Sequence, residues 1–441
     1  MAADEVRHQD PPALVVLTRV LLQARRKKAD KLKHIGQPIR LGSLPLALVV
    51  RDDDVWAAEN SAVLTRTSLE TGATLATFKG HKGPVTCLAF HGDVVITGSW
   101  DQTIRVWDAN TQRLLSTKKA HSDFVKCLLV IPSLKILASG GSDKIIRFWD
   151  ISDHNWPSSP LKLLGSISAH TRPISCLAAD ENSFACTRLF TADSLGAIKA
   201  WRLDRQYGVS ANCKGIFEAD LPGHTTGVND MWHGAGMLWT ASTDGTVQLH
   251  AYPLPLRPLN SVPVLAHPAP VKCLLPLPAA MGESYVLSGA GDAIRTYDFS
   301  SLEEPEFLSE FDAHANDVTS LAYWHRSVPG KRQPEAWIVS ASMDGTVRRW
   351  RLAELVSPKA KTQGYRIPTP PPPMPAAPAV VLTAEEEREL EDLMDSEDSS
   401  SEGSGGSPEP EDFGSRRPSP PPVSSNGSSA EALAAPAAIV A

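Results

Sequence analysis

Cysteine, aromatic residues and long apolar runs are all scarce in this chain of 441 residues. Six cysteines, none of them in a CxxC pair, do not make a disulfide framework or a cysteine zinc site, and they point to a reducing compartment. The apolar stretch from Ala13 to Leu22 is interrupted by Arg19 and carries its basic run after it rather than before it. It therefore reads neither as a secretory leader nor as a membrane span. Asp4, Glu5 and Asp10 argue equally against a mitochondrial transit peptide. The expected location is cytoplasm, nucleus or both, with no membrane attachment. Aromatic residues make up 6% of the chain while 36 residues are proline, which argues against one uniformly packed body. No GxxxxGK[ST] or GxGxxG segment leads from a strand into a helix, so no phosphate cradle is expected. An excess of positive charge is missing as well: 43 Lys and Arg face 50 Asp and Glu, a net charge of -7, which excludes an overall basic nucleic-acid binder.

What is present is a repeat. Gly80-His81 opens a unit that runs through the strand-like Val85-Thr86-Cys87-Leu88-Ala89-Phe90, then Thr97-Gly98-Ser99-Trp100-Asp101, and closes at Ile104-Arg105-Val106-Trp107-Asp108. The same order of His, apolar strand, small residues, Asp, strand and Trp returns at His121 with Ser139, Asp143 and Trp149. It returns again at His314 with Ser340, Asp344 and Trp350, and degraded copies begin at His170, His224 and His267. Successive histidines are 40, 49, 54, 43 and 47 residues apart, close to the ~40 to 45 residues of a four-stranded propeller blade.

These residues resemble the WD-repeat β-propeller family. The resemblance implies a buried hydrogen-bond chain in each blade that joins the opening His, a strand Ser or Thr, the turn Asp and the strand Trp. Position by position it reads His81, Thr97, Asp101, Trp107; His121, Ser139, Asp143, Trp149; and His314, Ser340, Asp344, Trp350. The unit from His170 has Leu195 where Asp is expected, so its turn should be unable to fix the histidine by that bond. The unit from His224 has His250 in place of Trp, and the unit from His267 has Tyr297 one residue early. Blades four to six should accordingly be less rigid.

Upstream, 46–50, 54–58 and 62–67 alternate like strands and supply a seventh, divergent copy. The fold class is thus all-β, a seven-bladed propeller with an N-terminal helix and a disordered acidic C-terminal tail. A ring of sheets must pair its last edge, and Gln37 to Leu41 is the expected source of the closing strand. The expected boundaries are 1–35 for an amphipathic, basic helix, 36–356 for the propeller and 357–441 for the tail. Asp10 before Pro11-Pro12 is a helix start signal, followed by an apolar face and the basic run Arg25 to Lys33. That run is read as a solvated helix face or an import signal. The tail is rich in Pro, Ser and Glu; Thr383 to Glu386 forms a capping box that opens a possible short acidic helix over 383–395. Ser407-Pro408 and Ser419-Pro420 suit proline-directed kinases.

Thirteen histidines invite a metal or hydrolase reading, yet six of them open the repeats, and nothing marks a nucleophile beside an oxyanion hole. Cys87, Cys127, Cys176 and Cys273 share one strand position and read as small core residues. No enzyme activity, cofactor or metal is expected. The resemblance maps the partner-binding face onto the third and fifth residues after each opening His and onto the residue before each turn Asp. The candidates there are Trp100, Phe124, Lys126, Asn229, Lys272, Asp317 and Met343. Trp100 is either an exposed anchor, as aromatic hot spots are, or a ring folded against a neighbouring loop. The expected work is that of a non-catalytic scaffold of an intracellular multiprotein complex that binds other proteins or peptide segments, itself monomeric within that assembly. Two alternatives are a substrate receptor of a ubiquitin ligase and a nuclear factor in ribosome assembly, RNA processing or chromatin. Against the first, the units close on Trp107-Asp-Ala-Asn and Trp149-Asp-Ile-Ser without an Arg two residues after Trp-Asp. Direct nucleic-acid binding is not expected, because no aromatic residues interleave with the basic run.

Overall fold

Short runs of β-branched, aromatic and small residues, separated by turn residues, pair antiparallel in groups of four to give seven separate sheets. The computed structural model describes residues 13–357 (backbone alone for 13–21) apart from 153–158, 181–185, 209, 235, 253–263, 278–283, 302–303 and 328–333. The expected acidic helix at 383–395 and the serines of the tail lie outside the described residues. The first blade consists of Pro45–Arg51, Asp54–Glu59, Val63–Ser68 and Thr74–Lys79. The next five follow over 85–119, 125–167, 174–221, 228–266 and 271–312. The seventh has Val318–Arg326, Glu335–Ser342 and Thr346–Arg351 from the end of the ring, and takes its fourth strand from Ile39–Arg40. Ile39 stands opposite Val347 and Arg40 opposite Thr346, which joins the two ends of the ring in one sheet.

The first strand of each blade touches the first strands of both neighbouring blades, all the way round, so these seven strands form the inner wall. The second strands, such as Val94–Ser99 and Ile136–Gly141, are buried along nearly their whole length and are built from apolar and small residues on both faces. Outer strands such as Leu114–Lys119 alternate exposed and half-buried positions and end in lysines, which keeps a sheet edge soluble. No single core exists among the described residues. Seven apolar clusters lie one at each seam; the cluster between blades seven and one, for example, joins Ile39, Leu48, Trp324 and Val347.

Every innermost strand carries a bulge at the same place: Pro45/Ala47, Val85/Cys87, Val125/Cys127, Ile174/Cys176, Val228/Asp230, Val271/Cys273 and Val318/Ser320. A bulge leaves its extra residue outside the ladder and re-aims the side chain. The fifth residue after each opening His is that extra residue, a point that matters for the site.

The helix Ala13–Lys31 runs into the propeller rather than standing apart from it. Leu32 is buried, and Arg348 Nη1 donates to the carbonyls of Leu32 (2.7 Å) and Ile35 (2.5 Å). Gly36 has φ +68°, and a Cβ there would lie 2.6 Å from the Trp350 ring, so both the backbone and the space require glycine. Lys28 pairs with Asp292 at 2.5 Å and also with Asp312, both on blade six. The reading of the basic run as a wholly solvated face is thereby corrected: Lys28 is a tether to the propeller.

Candidate interaction surface

The buried polar chain fixes the loops that carry the candidate surface. In blade two, Trp107 Nε1 donates to Thr97 Oγ1 (2.9 Å), Thr97 Oγ1 donates to His81 Nε2 (2.8 Å), and His81 Nδ1 donates to Asp101 Oδ2 (2.8 Å). A carboxylate only accepts, so Nδ1 holds the proton in that bond. Asp101 also accepts from the backbone N–H of Lys82 (2.9 Å) and of Thr103 (3.0 Å), pinning two loops at once. Burial opposes the charge on Asp101, but bonds from His81 and Thr103 hold its carboxyl well below the usual range. Blades three and seven repeat the chain through His121, Ser139, Asp143 and Trp149, and through His314, Ser340, Asp344 and Trp350.

The degraded copies depart from the sequence reading in instructive ways. In blade four the histidine is fixed after all: His170 Nδ1 donates to Asp193 Oδ2 (3.0 Å), while His170 Nε2 meets Thr191 and Trp201 caps the chain. Asp193 stands two residues after Thr191, where blade two has Ser99, and its Oδ1 accepts from the N–H of Leu195 (2.9 Å) and of Ala197 (3.1 Å). One carboxylate thus does the turn-closing of Ser99 and the histidine-fixing of Asp101. Asp193→Ala should cost about 1 to 3 kcal/mol in a denaturation experiment; a loss no larger than that of a surface substitution would refute the assignment.

In blade five, His224 meets Thr240 (2.9 Å) and Asp244 (3.1 Å), but His250 in the Trp position has a buried Nε2 with no hydrogen-bond partner among the described residues. In blade six the hairpin is tighter, with Ala290 opposite Ala293, and Asp292 does not reach the histidine. His267 instead donates from Nδ1 to the Leu265 carbonyl (3.2 Å), while Ser288 and Tyr297 face its Nε2. Asp292 is left free to take Lys28.

On the face carrying these turns, Trp100 and Phe124 come together across the seam between blades two and three. Their ring centroids are 4.9 Å apart and nearly parallel, at 16°. The Trp100 ring leans on a neighbouring loop, yet it stays 39% exposed and Phe124 37% exposed. Backbone bonds hold the pair in place, Trp100 N–H to Pro84 O (3.0 Å) and Ser142 N–H to Phe124 O (2.8 Å). Exposing two large aromatic rings in adjoining loops is costly unless something covers them.

The bulge positions sort the remaining candidates. Thr86, Asn229 and Thr319 donate across the seam to the carbonyls of Val125 (2.6 Å), Val271 (2.7 Å) and Pro45 (3.2 Å). Asn229 is further held by Thr243 at 3.0 Å, so it works as a rung between blades. Lys126 and Lys272 occupy the same bulge position; Lys126 is exposed and Lys272 half-buried. Asp317 and Met343 are joined by a backbone bond of 2.9 Å in blade seven. Met343 is exposed, but blade one separates it from the Trp100 pair.

The sequence reading missed Lys82 and Lys144, exposed side chains that directly follow His81 and Asp143. Their signal was their place beside residues fixed by the polar chain. It also missed Asp230, which stands where four of the other blades have cysteine. Asp230 accepts from the N–H of Leu274 in the next blade (2.8 Å), and burial pushes its carboxyl up to about 6. The cysteines themselves pack inward: burial pushes Cys87 and Cys176 up to about 12, which leaves them protonated and inert. Among the described residues, no cluster of three or more His, Cys, Asp or Glu could hold a metal ion, and no helix is long and apolar enough to cross a membrane.

The model of the WD domain, G-beta repeat, matches residues 72–108, 112–150, 215–250 and 305–351. These matches fall mainly on blades two, three, five and seven and leave out most of the first, fourth and sixth. An uncharacterized WD repeat-containing protein of Schizosaccharomyces pombe is 29% identical over 68% of this chain and 75% of its own length. An F-box/WD-40 repeat-containing protein of Arabidopsis thaliana is 33% identical over 38% of this chain and 29% of its own length. Among solved structures, the computationally designed Ika8 protein superposes with a TM-score of 0.50 at 24% identity, over 70% of this chain and 83% of that one, a likeness of fold alone. With seven four-stranded sheets, the His–Ser/Thr–Asp–Trp chain and these matches together, the chain belongs to the WD40 repeat β-propeller family.

Proposed function

We propose that this chain is a non-catalytic scaffold within a multiprotein complex, and that it binds a protein partner on the rim where Trp100 and Phe124 stack. WD40 propellers generally bind proteins, and the observation that carries the specific reading is the stacked pair of exposed rings on loops that the buried polar chain holds rigid. Rigid aromatic anchors lose little entropy on binding, which is why they dominate interaction energies.

The test is affinity capture with mass spectrometry, comparing wild type with a variant carrying Trp100→Glu, Phe124→Glu and Lys126→Glu whose melting temperature is unchanged. The expected result is a roughly tenfold or greater loss of a defined subset of partners. An identical partner list from both proteins would overturn the rim assignment. The identity of the lost proteins decides between a ubiquitin-ligase receptor, which the F-box/WD-40 relative brings into view, and a nuclear assembly factor.

A further inference from the structure

We infer that the partner segment taken by this rim is an acidic peptide with one apolar or aromatic anchor, a reading that rests on the rim assignment above. The apolar part follows from the Trp100–Phe124 stack. The charge follows from how the surrounding ionic groups are used. Lys82 lies in the loop that packs on Trp100: a Cβ on neighbouring Gly83 would stand 3.4 Å from Trp100 Cβ. Lys126 follows Phe124 by two residues, and Lys144 sits in the turn tied to Phe124 through the Ser142 N–H. All three are exposed, and none has an ion-pair partner among the described residues.

The nearby carboxylates, by contrast, are already spent. Asp101 is held by His81, Lys82 N–H and Thr103, and Asp143 by His121 and by Arg147 at 2.7 Å. Asp123 accepts from the Phe124 N–H at 2.7 Å. The bulge adds an independent argument. At that position Thr86, Asn229 and Thr319 donate to carbonyls of the next blade, whereas Lys126 carries its ammonium on a long exposed stem and makes no such bond among the described residues. Three unpaired cations around an apolar anchor complement an acidic segment and steer its approach. A nucleic acid is the less favoured polyanion: each ring already gives one face to the other ring, which leaves little platform for stacked bases, and the whole chain carries a charge of -7.

The experiment selects phage-displayed random peptides on the full chain and measures a synthetic selected peptide by isothermal titration calorimetry. Enriched sequences should carry acidic residues flanking one Trp, Phe, Leu or Ile. Binding should weaken roughly tenfold or more in the variant Lys82→Glu, Lys126→Glu, Lys144→Glu, and should weaken with added salt. The neutral variant with Gln at the same three positions should lose less, which separates charge from any damage to the fold. In the variant Trp100→Ala, Phe124→Ala, binding should fall at every salt concentration. Neutral or basic peptides that are lost in the aromatic variant but indifferent to charge reversal would overturn the acidic ligand while leaving the rim assignment standing. Selected peptides that bind both variants as well as wild type would overturn the rim assignment itself, and so would the lack of any enriched peptide. A single-stranded oligo-dT probe that bound more tightly than the peptide, and lost binding on charge reversal, would overturn the acidic peptide in favour of nucleic acid.

Discussion

Replacing Asp101 by alanine is expected to cost about 3 kcal/mol of folding stability, while the same change at Asp292, in the same place of blade six, is expected to cost under about 1 kcal/mol. The two residues look alike in the repeat but have different partners. Asp101 accepts from His81, Lys82 N–H and both donors of Thr103, and is nearly buried. Removing it strands a buried imidazole N–H and frees two loops, one of them the loop under Trp100. The Asp292 carboxylate bonds no imidazole among the described residues; its side chain is 46% exposed and shares Lys28 with Asp312. Chemical denaturation of the two variants at neutral pH checks the difference, and equal losses would show that the repeat position alone, not its bonding, sets the energetics.

The second large effect is acid sensitivity. Burial lowers the imidazoles of His121, His170, His224 and His314, and it pushes His250 and His267 down to about 4. A neutral imidazole is thus favoured in the folded chain, whereas the unfolded chain takes up the proton near 6.5. Stability is complete above that value and is lost as pH falls from about 6.5 toward about 4. At about pH 5, His250 and His267 should each cost about 2 kcal/mol. Asp230 works the other way, because its raised carboxyl takes up a proton in the fold between about 6 and about 4 and recovers part of the loss. Denaturation curves from about pH 7 to about pH 5 should fall steeply for wild type, and His250→Phe should flatten them by about 2 kcal/mol. An unchanged slope in that variant would mean that His250 is not held neutral.

The parts of this architecture that could be read from the sequence are those in which one physical role demands one residue type at a fixed spacing. An imidazole held between a hydroxyl and a carboxylate needs His, Ser or Thr, and Asp, so His81, Thr97 and Asp101 announced a blade. The closing strand was legible because the last blade ran into proline-rich sequence with one edge unpaired. In blade four the bond from position 195 is absent, as read, but Asp193 was overlooked because a carboxylate can reach the same imidazole from two positions, and Asp193 uses the earlier one. The shortened hairpin of blade six did show in the sequence, as Tyr297 arriving one residue early, but that spacing does not say that Asp292 is redirected to Lys28, a residue far away in the chain. The site divided along the same line. Trp100 and Phe124 lie in different blades, and their stacking follows from the ring closing, not from their spacing in the chain. Asn229 looked like a surface residue until the bulge turned it toward the next blade.

The closing strand also orders events in time. Ile39 is made early, yet the strand it pairs with ends the ring, and the Leu32–Arg348 contact beside it spans 316 residues. During synthesis the early segment must wait, unpaired, for nearly the whole ring to be translated. Until then the inner strands Pro45–Arg51 and Val318–Arg326 each lack one neighbour, and the seam that buries Leu48 and Trp324 stays open. Contacts of such long range form late and slowly, and apolar edges left waiting are what chaperones hold. The nascent chain is therefore most vulnerable in the interval between completion of blade six and emergence of Val347.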